Sequence, residues 1–392
     1  LLRYYLHEDQ DYISVCKGFF RCSIRRDLPT EAILSIDSFI SQYGNYLDDS
    51  LSWVYQFATK KSDRFKYNDT QFFTEKYMIN TLVDSVNLDE RSIVIDPACG
   101  GCNFLLYSFE RLVIHVKKRS AVDRVQYALG KLYGYEIDPF LACVGSFNLK
   151  LKALAYISSE RTISLSDFEM IHPLVYYPKN DTVSGFLDLE WEKQYVVNCD
   201  NNEILQLVDA FDGANVVVTN PPFRTIKGMP ADQKAFLQQF YPMSKCDMCN
   251  AFIERIMEVL PTGGKAAMVT QNSWMYLDSF TSLRERVLRE YTLNRIWELG
   301  SNAFYDLSGE KANVALLIAT KERPKKKNEI ELGLLRNMSI ENIEAALDSG
   351  SVKTLRIRQT DVLKNSGSRF DMVSTDHLKS LQVECDQYGI YA

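Results

Sequence analysis

Asn220-Pro221-Pro222-Phe223 follows directly on the apolar run Asn215-Val216-Val217-Val218-Thr219. Three consecutive valines read as a buried strand, so the tetrapeptide stands where that strand ends. Two prolines fix φ and remove two N–H donors, which leaves local carbonyls that only accept. The Asn220 side-chain oxygen is a further acceptor, and Phe223 adds a flat ring. Acceptors beside an aromatic face suit a planar group with an exocyclic NH2, such as adenine. A plain Pro-rich turn at a strand end is the competing reading of these four residues.

Two upstream stretches supply the rest of a site. Ser92 to Ile95 reads as a strand, followed by Asp96-Pro97-Ala98-Cys99-Gly100-Gly101-Cys102-Asn103-Phe104 and an amphipathic helix from Leu105 to Val116. Strand, small-residue loop and helix form the first βα turn of a nucleotide-binding α/β unit. Small residues allow close approach of backbone to ligand, and the helix start offers free N–H groups. The loop is neither GxGxxG nor a Walker loop. Asp96 is a poor neighbour for a phosphate and a good one for a cationic amino acid, which points to S-adenosylmethionine (AdoMet). Lys131 to Tyr135 then reads as a second strand ending in Glu136-Ile137-Asp138-Pro139, with a helix from Leu141 to Leu154. An acidic residue at the end of the second strand is where ribose hydroxyls are held in such folds.

In this order the three motifs resemble the gamma group of amino-methyltransferases that make N6-methyladenine in DNA. Asp96 to Phe104 resembles the family's AdoMet loop, Gly134 to Asp138 its ribose motif and Asn220 to Phe223 its catalytic tetrapeptide. Phe72-Phe73-Thr74-Glu75 is similar to a further upstream motif, with Glu75 where the family carries proline. Downstream stretches such as Asn272-Ser273-Trp274-Met275 are similar to BREX-type and fused type II restriction–modification methylases, and more distantly to type I modification subunits. The resemblance covers roughly Phe72 to Thr320. It implies an α/β, Rossmann-like AdoMet-dependent methyltransferase fold with a mostly parallel seven-stranded sheet, to which apolar periodicity over Ala32 to Tyr43 and Leu47 to Thr59 adds a helical N-terminal region.

The resemblance also implies roles. Asp96 would face the methionine ammonium, with Phe73, Thr74, Ala98, Cys99, Gly100, Asn103 and Phe104 lining the same end. Glu136 would take the ribose hydroxyls beside Ile137. An acidic residue after the third strand would meet the AdoMet adenine. Tyr195 to Asn198 reads as that strand, which favours Asp200; Asp167 is the rival, and an Asx turn is the other reading of Asp200. Asn220 and the Pro221 carbonyl would accept the two hydrogens of the adenine N6 amine and free its lone pair to attack the methyl group in line. Catalysis of this kind is positioning and electrostatics, without metal or covalent intermediate. The base must leave the duplex, to be stacked on Phe223 and on Phe304, with Tyr305 as the alternative to Phe304.

The 392 residues allow two or three domains, and 46% hydrophobic with 24% charged residues describes an ordinary globular chain. Residues 1–70 read as a helical region, 71–320 as the catalytic domain, 321–328 as a linker and 329–392 as the start of a C-terminal, target-recognition module. The net charge of −6 does not advertise a DNA binder, so basic residues must be read locally. Two CxxC pairs, Cys99/Cys102 and Cys246/Cys249, invite zinc, but the first lies in the AdoMet loop and the second at a helix start, so no metal is expected. Free thiols suit the cytoplasm, and no apolar run of membrane-spanning length stands out. The expected partners are double-stranded DNA with a flipped adenine and further restriction or defence subunits, with a target-recognition region beyond Ala392. A methylase of protein glutamine or of RNA, and a non-catalytic AdoMet- or DNA-binding component of a defence complex, are the alternative functions.

Overall fold

The computed structural model describes residues 74–116, 120–304 and 313–370. The expected helical region over residues 1–70, Phe73 and Tyr305 lie outside them.

One sheet organises the described chain. Its strands are β1 (Val94–Asp96), β2 (Leu132–Tyr135), β3 (Leu174–Pro178), β4 (Tyr195–Asn198), β5 (Ile204–Gln206), β6 (Val216–Thr219), β7 (Lys265–Gln271), β8 (Thr292–Gly300), β9 (Val314–Thr320), β10 (Glu329–Leu334) and β11 (Thr354–Arg358). They lie in the order β11-β10-β8-β9-β7-β6-β1-β2-β3-β4-β5. From β3 to β7 the pairings are parallel. β9 then enters antiparallel between β7 and β8. These seven strands form the expected core, and the sheet carries eleven in all. The additional four are two edge pairs, β4–β5 and β10–β11, each closed antiparallel.

Alternation along the strands sorts side chains into two layers. Val94, Val216 and Val218 face one core cluster, and Ile95 and Val217 face the other. The first layer is built by α1 (Lys76–Ser85), α2 (Asn103–Val113), α3 (Ala121–Leu129) and α4 (Pro139–Ser158). After the short α5 (Leu165–Met170) and α6 (Ala231–Phe240), the second layer takes α7 (Met248–Val259) and α8 (Thr281–Glu290). Both faces being covered explains why the central strands read as unbroken apolar runs rather than alternating ones. Local chemistry sets the helix starts. Asp138 caps α4 by accepting from the N–H groups of Phe140 and Leu141, and Pro139 occupies the first turn. Asp247 caps α7 through the Asn250 N–H.

Three expectations need correction. Tyr195–Asn198 is not the third strand of the parallel core. That position belongs to Leu174–Pro178, which the flanking Pro173 and Pro178 disguise as a turn, and Tyr195–Asn198 runs antiparallel beside it with Asn198 opposite Tyr176. Residues 321–328 do not end the sheet either. Glu329–Leu334 pairs in parallel with β8, and α9 (Ile340–Asp348) buries Ile343 in the first layer. Finally, α4 at 20 residues is long and apolar enough to cross a membrane by length and composition. Here it is a core helix, 72% of its most apolar window being buried inside the fold.

Candidate active site

β1, β2 and β6 are adjacent, and their carboxyl ends deliver Asp96, Glu136 and Asn220 to one cleft. This is where the strand order reverses, the usual place for a ligand in an open α/β sheet. The loop after β1 is shaped by its own hydrogen bonds. Asp96 Oδ1 accepts from the Ala98 N–H at 3.2 Å, and the Cys102 N–H donates to the Cys99 carbonyl at 2.7 Å. The Cys99 N–H donates to the Tyr135 carbonyl at 2.9 Å, which ties the loop to β2. Gly100 has φ of +51°, a conformation that glycine adopts without strain. Helix α4 packs against the loop so closely that a Cβ on Gly145 would lie 2.5 Å from Cys102 Sγ and 2.9 Å from the Gly100 carbonyl oxygen.

Glu136 is bound into the same loop. Its Oε2 accepts from the Gly100 N–H at 2.9 Å and its Oε1 from the Asp138 N–H at 3.0 Å. A carboxylate has about four lone-pair sites, so acceptor capacity is left over for hydroxyl groups of a ligand. Asp96 and Glu136 are 1% and 7% exposed. Desolvation pushes the Asp96 carboxyl up to about 7, against the pull of the Thr219 hydroxyl and the Ala98 N–H. Desolvation likewise pushes Glu136 up to about 7, against the N–H groups of Asp138 and Gly100. Two buried acids beside one cleft are primed to gain from a cation and from hydroxyl donors.

At the end of β6, Asn220 Nδ2 donates to Thr74 Oγ1 at 3.0 Å. That bond sets the amide orientation, with the carbonyl oxygen as the acceptor end. Thr74, Asp96, Ala98, Cys99, Gly100, Asn103, Phe104, Glu136, Ile137, Asn220 and Pro222 all line the cleft. Pro221, between Asn220 and Pro222, is buried and does not line it. Phe223 and Phe304 do not line it; both are partly buried and pack against the first core layer. The Tyr77 hydroxyl donates to the Ala303 carbonyl, which fixes the backbone next to Phe304.

Asp200 is elsewhere. β4 runs antiparallel to β3, so its end lies at the amino edge of the parallel strands, away from the cleft. There Asp200 accepts from Lys150 Nζ at 2.6 Å and pairs with His172 Nδ1 at 2.5 Å. Asp167 does not line the cleft either; it binds Arg161 and the Ser164 N–H at the start of α5. The segment that follows the true third strand does line the cleft, through Val183, Ser184, Gly185 and Phe186. Sequence reasoning missed these four because it missed β3. It also missed Arg224, Gln233, Met248 and Phe252. Phe252 stacks on Phe186 with ring centroids 5.7 Å apart.

Residues 47–176 match the N-6 DNA Methylase family and residues 130–305 the Eco57I restriction-modification methylase family. Between them these two matches run over residues 47–305, and the chain is similar there to N6-adenine DNA methylases. Its relatives within that group include the adenine-specific methyltransferase PglX of Lacticaseibacillus casei, 23% identical over 82% of this chain and 32% of the relative. The methylase subunit of the type I restriction enzyme StySPI of Salmonella potsdam is 25% identical over 73% of this chain and 47% of that subunit. The chain thus spans about a third and about half the length of these two relatives. Among solved structures, the ATP-dependent Type ISP restriction–modification enzyme LlaBIII bound to DNA shares the fold with TM-score 0.56 at 13% identity, over 94% of this chain and 28% of that one.

Proposed function

We propose that this chain carries the methyl-transferring domain of an adenine-specific DNA methyltransferase of a restriction–modification or phage-defence system, moving a methyl group from AdoMet to N6 of an adenine flipped out of duplex DNA. One observation carries most weight: Asp96, Glu136 and Asn220 come from three strands and meet in one cleft. The donor set fits AdoMet. A buried carboxyl displaced to about 7 at Asp96 suits an ammonium, and Glu136, with two backbone donors already bound, suits a ribose diol. Among the described residues, Asn103 Oδ1 is also buried without a hydrogen-bond partner, and Asn103 lines the same cleft. Phe186 and Phe252 offer apolar walls for a purine, in place of the expected Asp200.

AdoMet when bound supplies an electrophilic methyl group on a sulfonium. The chain's own residues do the rest. Thr74 fixes the Asn220 amide so that its oxygen accepts one N6 hydrogen, and the Pro221 carbonyl accepts the other. The nitrogen then loses conjugation with the ring and its lone pair becomes available. Phe223 and Phe304 lie outside the cleft that would hold AdoMet and would stack the base on its way to Asn220, at about 1–3 kcal/mol for each stacked base. Calorimetric titration with AdoMet, with Asp96→Ala as control, tests the pocket. Transfer of labelled methyl to duplex DNA rather than to RNA or protein tests the substrate. Transfer to RNA or to a protein glutamine would move the assignment to those alternatives, and AdoMet binding without any transfer would support a non-catalytic component.

A further inference from the structure

We propose that Arg224 binds a DNA phosphate next to the adenosine that enters the cleft, an inference that rests on the DNA methyltransferase reading above. Arg224 directly follows the tetrapeptide and, among the described residues, is the only lysine or arginine lining the cleft. Its backbone is held rigidly. The Met248 N–H donates to the Arg224 carbonyl at 3.0 Å, and the Ile226 N–H donates to the Cys246 carbonyl at 2.9 Å. Thr225 and Asp247 form an antiparallel bridge between these two bonds. The arginine is thus anchored on the first turn of α7, a core helix.

The guanidinium itself has capacity to spare. One nitrogen, Nη1, donates to Gln233 Oε1 on α6 at 3.2 Å. No carboxylate pairs with it among the described residues, whereas Arg111, Arg161, Arg286 and Arg295 each pair with an acid. A guanidinium carries five N–H donors in a planar fork that matches phosphate or carboxylate oxygens. The Gln233 contact aims the fork while leaving most of its donors open. A nucleotide whose base reaches Asn220 must bring its flanking phosphates to the rim, where a fixed cation four residues further along the chain can meet one.

The test uses the full-length protein, DNA lacking N6-methyladenine as substrate, and Arg224→Ala and Arg224→Lys variants. Arg224→Ala is expected to lower kcat/KM for DNA by about ten- to hundredfold, the usual effect of removing a charged hydrogen bond. The salt dependence of DNA binding should become shallower by about one unit in the log–log slope, as for the loss of one phosphate contact. Arg224→Lys, which keeps a point charge and loses the fork, should recover the slope but only part of kcat/KM. AdoMet affinity should stay at the parent value in both variants, which also shows that they fold. Arg224→Ala with parental kcat/KM and parental salt slope would overturn the proposal. So would loss of AdoMet affinity, which would assign Arg224 to the cofactor carboxylate. A parent protein that transfers no methyl to DNA would overturn the functional reading itself, an outcome separable from the variant results.

Discussion

Asp96→Asn should make the ligand-free protein more stable at pH 8 while weakening its hold on AdoMet. The carboxyl is 1% exposed, and desolvation raises it from 3.8 to about 7. The folded state therefore holds its proton more tightly than the unfolded chain does. Stability from this group is full below about pH 4, declines as the pH rises and is lost above about 7. At 1.36 kcal/mol per tenfold, the displacement costs on the order of 4 kcal/mol of stability at pH 8. Asparagine keeps an oxygen to accept from the Ala98 N–H and presents its NH2 to the Thr219 hydroxyl, so most of this penalty should disappear. We expect Asp96→Asn to gain about 2–4 kcal/mol at pH 8 and close to nothing at pH 4 in urea unfolding. The parent-minus-variant difference isolates Asp96 from Glu136 and Asp247, which burial also raises to about 7. A variant less stable than the parent at pH 8, or a difference independent of pH, would refute the desolvation argument.

The same acid sets the pH dependence of AdoMet binding. An ammonium beside Asp96 favours the carboxylate, so affinity should be about tenfold weaker at pH 6 than at pH 8, measured by calorimetry in matched buffers. Gly145→Ala places a methyl group 2.5 Å from Cys102 Sγ and should displace the Gly100 loop. An overpacking cost of about 1–3 kcal/mol is expected in thermal unfolding, with weaker AdoMet binding. Lys150→Met leaves Asp200 as a buried charge with, among the described residues, His172 as its remaining ion-pair partner. Breaking such a pair should cost about 3–5 kcal/mol in stability, with AdoMet affinity unchanged because the pair is remote from the cleft.

The legibility of the sequence followed the range of the interactions. Asp96, Glu136 and Asn220 could be found because each closes a short apolar strand, and strand, tip and following helix are contiguous in the chain. The cleft then needs only the parallel pairing of β1 with β2 and β6, which such a pattern implies. Asp200 failed for the opposite reason. Tyr195–Asn198 has good strand chemistry, but its direction depends on Leu174–Pro178, some twenty residues away, and an antiparallel strand delivers its tip to the wrong edge. Arg224 and Gln233 were invisible as a pair because the Thr225–Asp247 bridge that sets the arm joins residues far apart in the chain. The continuation of the sheet through Glu329–Leu334 was hidden by the charged run before it, which reads as solvated whether or not a strand follows.

The most direct test of the central claim is the N6-methyladenine content of DNA after incubation with AdoMet and the full-length protein, parent against Asn220→Ala, by mass spectrometry of the digested nucleosides. Removing one preorganised polar group from such a site typically costs about 10²–10³ in rate. The account predicts N6-methyladenine with the parent and a loss of that order with the variant, whose AdoMet affinity stays near the parental value. Equal N6-methyladenine from both proteins, or methylation at another position of the base, would contradict it.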